Sequence, residues 1–252
     1  MVYDTIVNLA AEAGKIMLQN GGETYRVEQT IGMICRAYNI KNTESFVSPT
    51  AIITSTTSEE GKNSTIIKRI TARSIDLHKV ALVNDLSRKL QGNPLPFDEF
   101  SKELDRIRQY PSYSRNLKML FAGLNTAAFT ILFNGTIYDF IVAFIAGMLI
   151  NRLCALLARL RVNDFFINVM GGTLAGLIGL IASTINPIFH QDKIIIGSIM
   201  LLVPGLVITN AIRDTIAGDL ISGLSRGLEA IVIAGAIAIG TAFSFKLWMY
   251  MF

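Results

Sequence analysis

The sequence predicts an α-helical membrane protein: five transmembrane helices preceded by a small cytosolic α+β domain. Three observations predict it. Of 252 residues, 51% are hydrophobic and 17% charged, too apolar for an ordinary soluble chain of this length. The charge is uneven, with 15 of 23 Lys and Arg and 13 of 19 Asp and Glu falling in residues 1–115. The charge-poor remainder resolves into five apolar segments, each near the roughly 20 residues that cross a bilayer. They are placed at about 117–133, 137–158, 165–185, 194–212 and 228–248. The division is therefore 1–115, a cytosolic α+β domain, and 116–252, a five-span transmembrane domain.

In the first part, residues 3–20 read as an amphipathic helix with Ile6, Leu9, Ala10, Ala13, Ile16 and Met17 on one face. Gly21-Gly22 interrupts it, and a second helix follows at 24–38 with Val27, Ile31, Ile34 and Cys35 apolar. Residues 45–58 and 64–71, rich in Ser, Thr, Val and Ile, flank a hairpin turn at 59–63. Helices are expected at 76–90, where Leu77, Val80, Ala81, Leu86 and Leu90 carry the pattern, and at 97–108 after the Pro94–Pro96 break.

Charge sets the orientation. Arg106, Arg108, Arg115 and Lys118 flank the first span, Arg159 and Arg161 lie between spans 2 and 3, and Arg213 and Arg226 between spans 4 and 5. The other side has Lys193 and, near the C-terminus, Lys246. By the positive-inside rule the first set faces the cytosol, and five spans put the C-terminus on the outer side. The opening MVYDTIVNLAAEAGK carries Asp4 and Glu12 where a signal peptide would be apolar, so no signal is expected there.

Several function classes are disfavoured. The net charge of +4 divides evenly between the two parts, without the concentrated basic face of a nucleic-acid binder. Cys35 and Cys154 have no metal-ligand spacing, and His78 and His190 are isolated, so no catalytic residue, metal site or cofactor is expected.

The most informative stretch is 201–227, LLVPGLVITNAIRDTIAGDLISGLSRG. An apolar helix meets Pro204-Gly205 and then carries Asn210, Arg213, Asp214, Asp219, Ser222 and Arg226. Proline removes a backbone hydrogen bond and frees carbonyls, and broken helices beside ionisable groups are how many transporters build a solute site. Asn210 with Asp214, Thr209 with Arg213, and Ser222 with Arg226 each share a helix face. Candidate substrate-binding residues are Pro204, Gly205, Asn210, Arg213, Arg226 and Asn125. Proton-coupling candidates are Asp139, Asp214, Asp219 and Glu229, ionisable groups close to hydrocarbon. Gly172 with Gly176, and Ala236 with Gly240, have the small-xxx-small spacing of close helix packing.

Three stretches carry a resemblance: GGETYRVEQTI (21–31), TIIKRITARSIDLHKVALVNDLSRKL (65–90) and PGLVITNAIRDTIAGDLISGLSRG (204–227). Over about residues 5–245 the chain resembles the N-terminal half of the threonine/serine exporter family, in its split form a YjjP-like subunit. The resemblance implies a secondary exporter of small polar metabolites, threonine/serine-type amino acids or dicarboxylates such as succinate, driven by the proton gradient. It also implies a separate YjjB-like membrane subunit as partner; the sequence further allows assembly with a second copy of itself. The alternatives are a regulatory or assembly subunit without its own substrate site, and a membrane-anchored enzyme.

Overall fold

The computed structural model describes residues 2–57 and 63–251. Among these, ten helices and one sheet follow in order: α1 Val2–Gln19, α2 Thr24–Ala37, β1 Thr43–Ser48, β2 Ala51–Thr57, β3 Asn63–Arg69, α3 Leu77–Gly92, α4 Phe97–Arg108, α5 Arg115–Leu132, α6 Ile137–Arg159, α7 Asp164–Ile185, α8 Gln191–Ile199, α9 Gly205–Ala217 and α10 Leu220–Met251. They form two compact units, one of Met1–Ser112 with Leu206–Gly227, the other of Tyr113–Gly205 with Leu228–Phe252. These are packing units; which residues lie in water and which in lipid is a separate matter.

In the first unit, the apolar stripe of α1 is buried as its helical spacing requires: Ile6, Leu9, Ala10, Ala13, Ile16 and Met17 are all core residues. Val27, Ile31, Ile34 and Cys35 of α2 join them. On α3 the buried stripe is Val80, Val83, Leu86 and Leu90, while Leu77 and Ala81 face outward. Val80, Leu86 and Leu90 are buried as the spacing predicts, while Val83 takes the place expected of Leu77 and Ala81. Phe100, Leu104 and Ile107 of α4 close the core. The hydroxyl of Tyr38 donates to the Leu95 carbonyl at 2.7 Å.

The sheet is antiparallel in the order β1-β2-β3. The stretch expected to run through 45–58 is two strands, because the chain turns at Pro49-Thr50, where Pro49 has no N–H for a ladder. The Ser48 hydroxyl accepts from Ala51 N at 3.2 Å inside that turn. Ile52, Thr54 and Thr56 of β2 alternate inward. Residues 59–62 of the expected turn at 59–63 lie outside the described residues; the strands on either side pair from Ala51↔Arg69 to Thr57↔Asn63.

In the second unit, α5 and α6 make a tight antiparallel hairpin. Thr126 on α5 donates its hydroxyl to the Ala143 carbonyl on α6 at 2.7 Å. A Cβ on Gly123 would lie 2.7 Å from the Phe144 carbonyl oxygen, so only glycine permits this approach. The small-residue stripes of α7 and α10 meet as their spacing suggests: a Cβ on Gly172 would lie 2.6 Å from the Ile237 carbonyl oxygen. The Thr173 hydroxyl sits 3.1 Å from the Gly240 carbonyl that it bonds.

Five spans were expected, and this is corrected. Among the described residues three helices are long and apolar enough to cross a membrane: Ile137–Arg159, Asp164–Ile185 and Leu220–Met251. The first expected span, α5, is a helix of 18 residues that opens with Arg115, Asn116 and Lys118, which leaves too short an apolar stretch. The fourth is not one helix. It stops at Ile199 and resumes at Gly205, giving pieces of 9 and 13 residues. At about 1.5 Å per residue, the 32 residues of α10 run about 48 Å, well beyond a hydrocarbon core of about 30 Å.

Candidate functional site

α9 and the first turns of α10 form a helical hairpin within the first unit. Gly218 ends α9 with φ +95°, the left-handed conformation that closes helices. Its neighbour Asp219 donates its N–H to the Asp214 carbonyl at 2.9 Å. A Cβ on Gly223 would lie 3.0 Å from the Ala211 carbonyl oxygen, so the two arms meet closely. That closeness brings Arg226 of α10 to Asp214 of α9: Nε and Oδ2 are 3.0 Å apart, with side chains 6% and 0% exposed.

The other half of the cluster comes from the start of α2, almost two hundred residues away. Thr24 donates twice to Asp214, from its backbone N–H to Oδ1 at 3.3 Å and from its hydroxyl to Oδ2 at 3.0 Å. Arg226 Nη2 donates to the Gly22 carbonyl at 3.1 Å, and Asn210 Nδ2 to the Gly21 carbonyl at 3.2 Å. Arg213 pairs with Glu23, which also takes Arg26 Nε at 3.3 Å. Ser222 donates to the Val47 carbonyl at 3.2 Å, and Val47 N donates to Glu28 Oε1 at 2.9 Å. Asp214, with no exposure, thus holds one cation and two hydrogen bonds, which offset the cost of burying it.

Two further carboxylates edge this cluster. Burial pushes the Asp219 carboxyl up, and the negative charge of Asp214 pushes it further. Burial also pushes Glu28 up; the Val47 hydrogen bond opposes this, and Asp219 and Asp214 add to it.

The face assignments read from spacing agree with this geometry: Asn210 and Asp214 are both buried, Thr209 and Arg213 both exposed, Ser222 and Arg226 both buried. Glu23, Thr24 and Glu28 were not singled out as site residues. Glu23 holds the N-cap position of α2 without a side-chain cap bond, and Thr24, the first residue of the helix, reaches Asp214. The signal available was an unusual density of polar residues beside two glycines, a pattern that a helix cap accounts for equally well.

The remaining candidates lie in the second unit. Asp139 is buried and closes a capping box with Thr136 at the start of α6. It also accepts from His190 N at 2.8 Å and meets His190 Nδ1 at 3.0 Å. His190 therefore has a partner that is remote in sequence. Asn125 is exposed on α5, and Glu229 is half-buried on α10. Pro204 is half-buried at the break between α8 and α9, and Gly205 is exposed with open space where a Cβ would stand. The last carbonyls of α8 are partly satisfied by the turn, with Leu202 N donating to Ile199 O at 2.9 Å and Val203 N to the same oxygen at 3.2 Å. Ser198, one residue from the end of α8, is fully buried, and among the described residues its hydroxyl has no hydrogen-bond partner. Among the described residues no group of His, Cys, Asp and Glu could hold a metal ion.

Known proteins match this arrangement along nearly its whole length. The chain is 27% identical over 249 residues to the "Probable succinate transporter subunit YjjP" of Klebsiella aerogenes, covering 96% of this chain and 94% of that protein. The protein of the same name in Escherichia coli strain K12 is also 27% identical, with the same coverage. The "Threonine/serine exporter" of Corynebacterium glutamicum is 25% identical across 96% of this chain but 51% of its own length. These names are of transporters and exporters, not enzymes. No solved structure matches. Residues 8–248 match the model of the family described as "Putative threonine/serine exporter", and the chain belongs to the threonine/serine exporter family.

Proposed function

We propose that this chain is one subunit of a proton-coupled exporter of small carboxylate-bearing metabolites, working with a second, YjjB-like membrane subunit. One observation carries this reading: the chain spans 94% of relatives named as probable succinate transporter subunits and about half of a relative named as a threonine/serine exporter. The word subunit in the names of the first relatives supports a partner chain. We place residues 1–115 in the cytosol on the charge of the flank before the first apolar helices, Arg106, Arg108, Arg115 and Lys118.

In this reading Arg213 is the substrate-facing cation. Its side chain is 47% exposed, whereas Arg226 is sealed against Asp214. Within the second unit, Pro204 and Gly205 at the helix break and the buried Ser198 hydroxyl are further candidates for solute contact. Asp219 and Glu28, both with raised proton affinity, are the leading proton carriers, with Asp139 beside His190 as a second station. The substrate is an amino acid of the threonine/serine type or a dicarboxylate such as succinate.

The test is efflux of labelled succinate and threonine from cells lacking the chain, restored with it and its partner. Arg213→Gln is expected to cut efflux at least about tenfold with expression unchanged, the scale of one lost charge-assisted contact. Unchanged efflux of both solutes removes Arg213 from the site. A second reading has support in the pairing of Arg213 with Glu23 and of Arg226 with Asp214, which neutralises the motif internally: the motif holds the first unit together, and the partner carries the substrate. Photolabelling with a succinate analogue separates the two by which chain is labelled.

A further inference from the structure

At one end of the α5–α6 hairpin, three exposed arginines contribute to the lining of a single cavity of about 110 Å³: Arg115, Arg152 and Arg159, with Asn151, Met119 and Leu156 among the walls. The arrangement follows from the hairpin. Thr126 bonds Ala143, so counting back along α5 and forward along α6 puts Arg115 level with Cys154, between the two α6 arginines. Arg152 and Arg159 are seven residues apart, two turns, and so share a face of α6. Arg115 is the first residue of α5, capped by Ser114, and adds its charge to the positive end of that helix's dipole.

Among the described residues no acidic side chain pairs with any of the three. Three like charges around one cavity repel, and they hold this arrangement most readily around an anion. The arginine fork matches the oxygens of a phosphate or carboxylate. Met119 and Leu156 make the walls apolar, and the helix surfaces leading away carry exposed Leu120, Leu149 and Ile145. A compact oxyanion joined to hydrocarbon fits both parts. Basic cavities between membrane helices bind acidic lipid head groups by this chemistry. We propose that this cavity binds the phosphate of an acidic phospholipid, with the acyl chains lying on the apolar faces of α5 and α6.

The experiment is native mass spectrometry of the full-length chain in detergent, titrated with phosphatidylglycerol or phosphatidylcholine, and again with inorganic phosphate or succinate as competitor. Phosphatidylglycerol is expected to bind at least about tenfold more tightly than phosphatidylcholine. Arg152→Gln with Arg159→Gln is expected to remove roughly thirtyfold of that affinity, while Lys118→Gln, outside the cavity, leaves it unchanged. Equal binding of the two lipids, or undiminished binding in the double variant, overturns the proposal. Arginine-dependent binding of free phosphate or succinate that displaces the lipid overturns it too, and assigns the cavity to a soluble anion. If the double variant does not fold, Arg115→Gln at the exposed start of α5 gives the same readout at smaller size, and no loss there is equally fatal.

Discussion

Arg226 is the position at which the structure makes its sharpest energetic prediction. Arg226→Met keeps the length and the apolar stem of the side chain and removes the charge. It leaves Asp214 with no exposure and no cation. Removing one partner of a buried pair costs about 3–5 kcal/mol. The two hydrogen bonds from Thr24 remain, which places the loss near the lower end, about 3 kcal/mol. For a chain of this size each kcal/mol shifts Tm by about 2–4 °C, so the expected drop is about 6–12 °C. The assay is thermal unfolding of the full chain in detergent, followed by far-ultraviolet circular dichroism. Adding Asp214→Leu and Thr24→Val to Arg226→Met replaces the polar cluster with apolar side chains, and is expected to recover most of the loss. A double-mutant cycle on Asp214 and Arg226 should show coupling of about 2 kcal/mol or more. An Arg226→Met protein melting within about 2 °C of the parent, or additive single changes, refutes the buried pair. The apolar triple variant also serves the functional question: restored stability with efflux still lost means that the cluster does more than hold helices together.

Three further outcomes are expected. Glu28 has a raised proton affinity in the folded chain, so its contribution to stability is present below its unfolded pKa of about 4.3 and is lost as pH rises through the higher folded value. Glu28→Gln should therefore raise Tm at neutral pH and leave it unchanged in acid. Glu12 runs the other way. Burial raises it, but the Lys68 hydrogen bond and the charges of Lys68, Lys15 and Arg108 outweigh burial and hold it below its ordinary range. Its contribution is present above the unfolded pKa and is lost as pH falls, so Glu12→Gln should lower Tm at neutral pH and not in acid. Finally, Gly172→Leu should abolish monodisperse protein on size-exclusion chromatography, since even a Cβ there meets the Ile237 backbone, and overpacking costs about 1–3 kcal/mol or more. Gly235→Leu, with open space around it, should be tolerated.

What could be read from the sequence was whatever depends on neighbours a few residues apart. The buried stripe of α1, the α2 core, the glycine faces of α7 and α10 and the shared faces of α9 all follow from helical spacing. The Pro204-Gly205 break was legible for the same reason, since proline acts on its own turn; what spacing did not give is that the helix stops as early as Ile199. The meaning of the charged residues was not legible. Arg226 and Asp214 are twelve apart on what reads as one continuing stretch, and only the turn at Gly218 folds them together. Thr24 and Glu23 meet them from the far end of the chain, as His190 meets Asp139 across fifty-one residues. No periodicity reports such contacts. The count of five spans erred because apolar length was measured along the chain, without regard to the charged opening of α5 or the break after Ile199.

Asn125 bears on the expected partner. It sits near the middle of α5 and faces outward, beside exposed Phe121, Leu124 and Leu132. Where the outward face of α5 meets hydrocarbon, an unsatisfied amide costs several kcal/mol, so a position facing lipid alone would select against it. A polar group from a neighbouring helix resolves this, and hydrogen bonds of this kind between membrane helices contribute about 0.6–2 kcal/mol. If the second subunit supplies that helix, then Asn125→Cys, in a chain with Cys35 and Cys154 replaced by Ala, should cross-link to the co-expressed subunit. Asn125→Leu should weaken the complex about threefold or more, measured by co-purification against a fixed detergent wash. The same cysteine placed at Ile216, exposed on α9 in the other unit, is the comparison. Efficient cross-linking at Ile216 with none at Asn125, together with an unaltered Asn125→Leu complex, would mean that the partner sits elsewhere and that Asn125 meets the transported solute or a second copy of the chain.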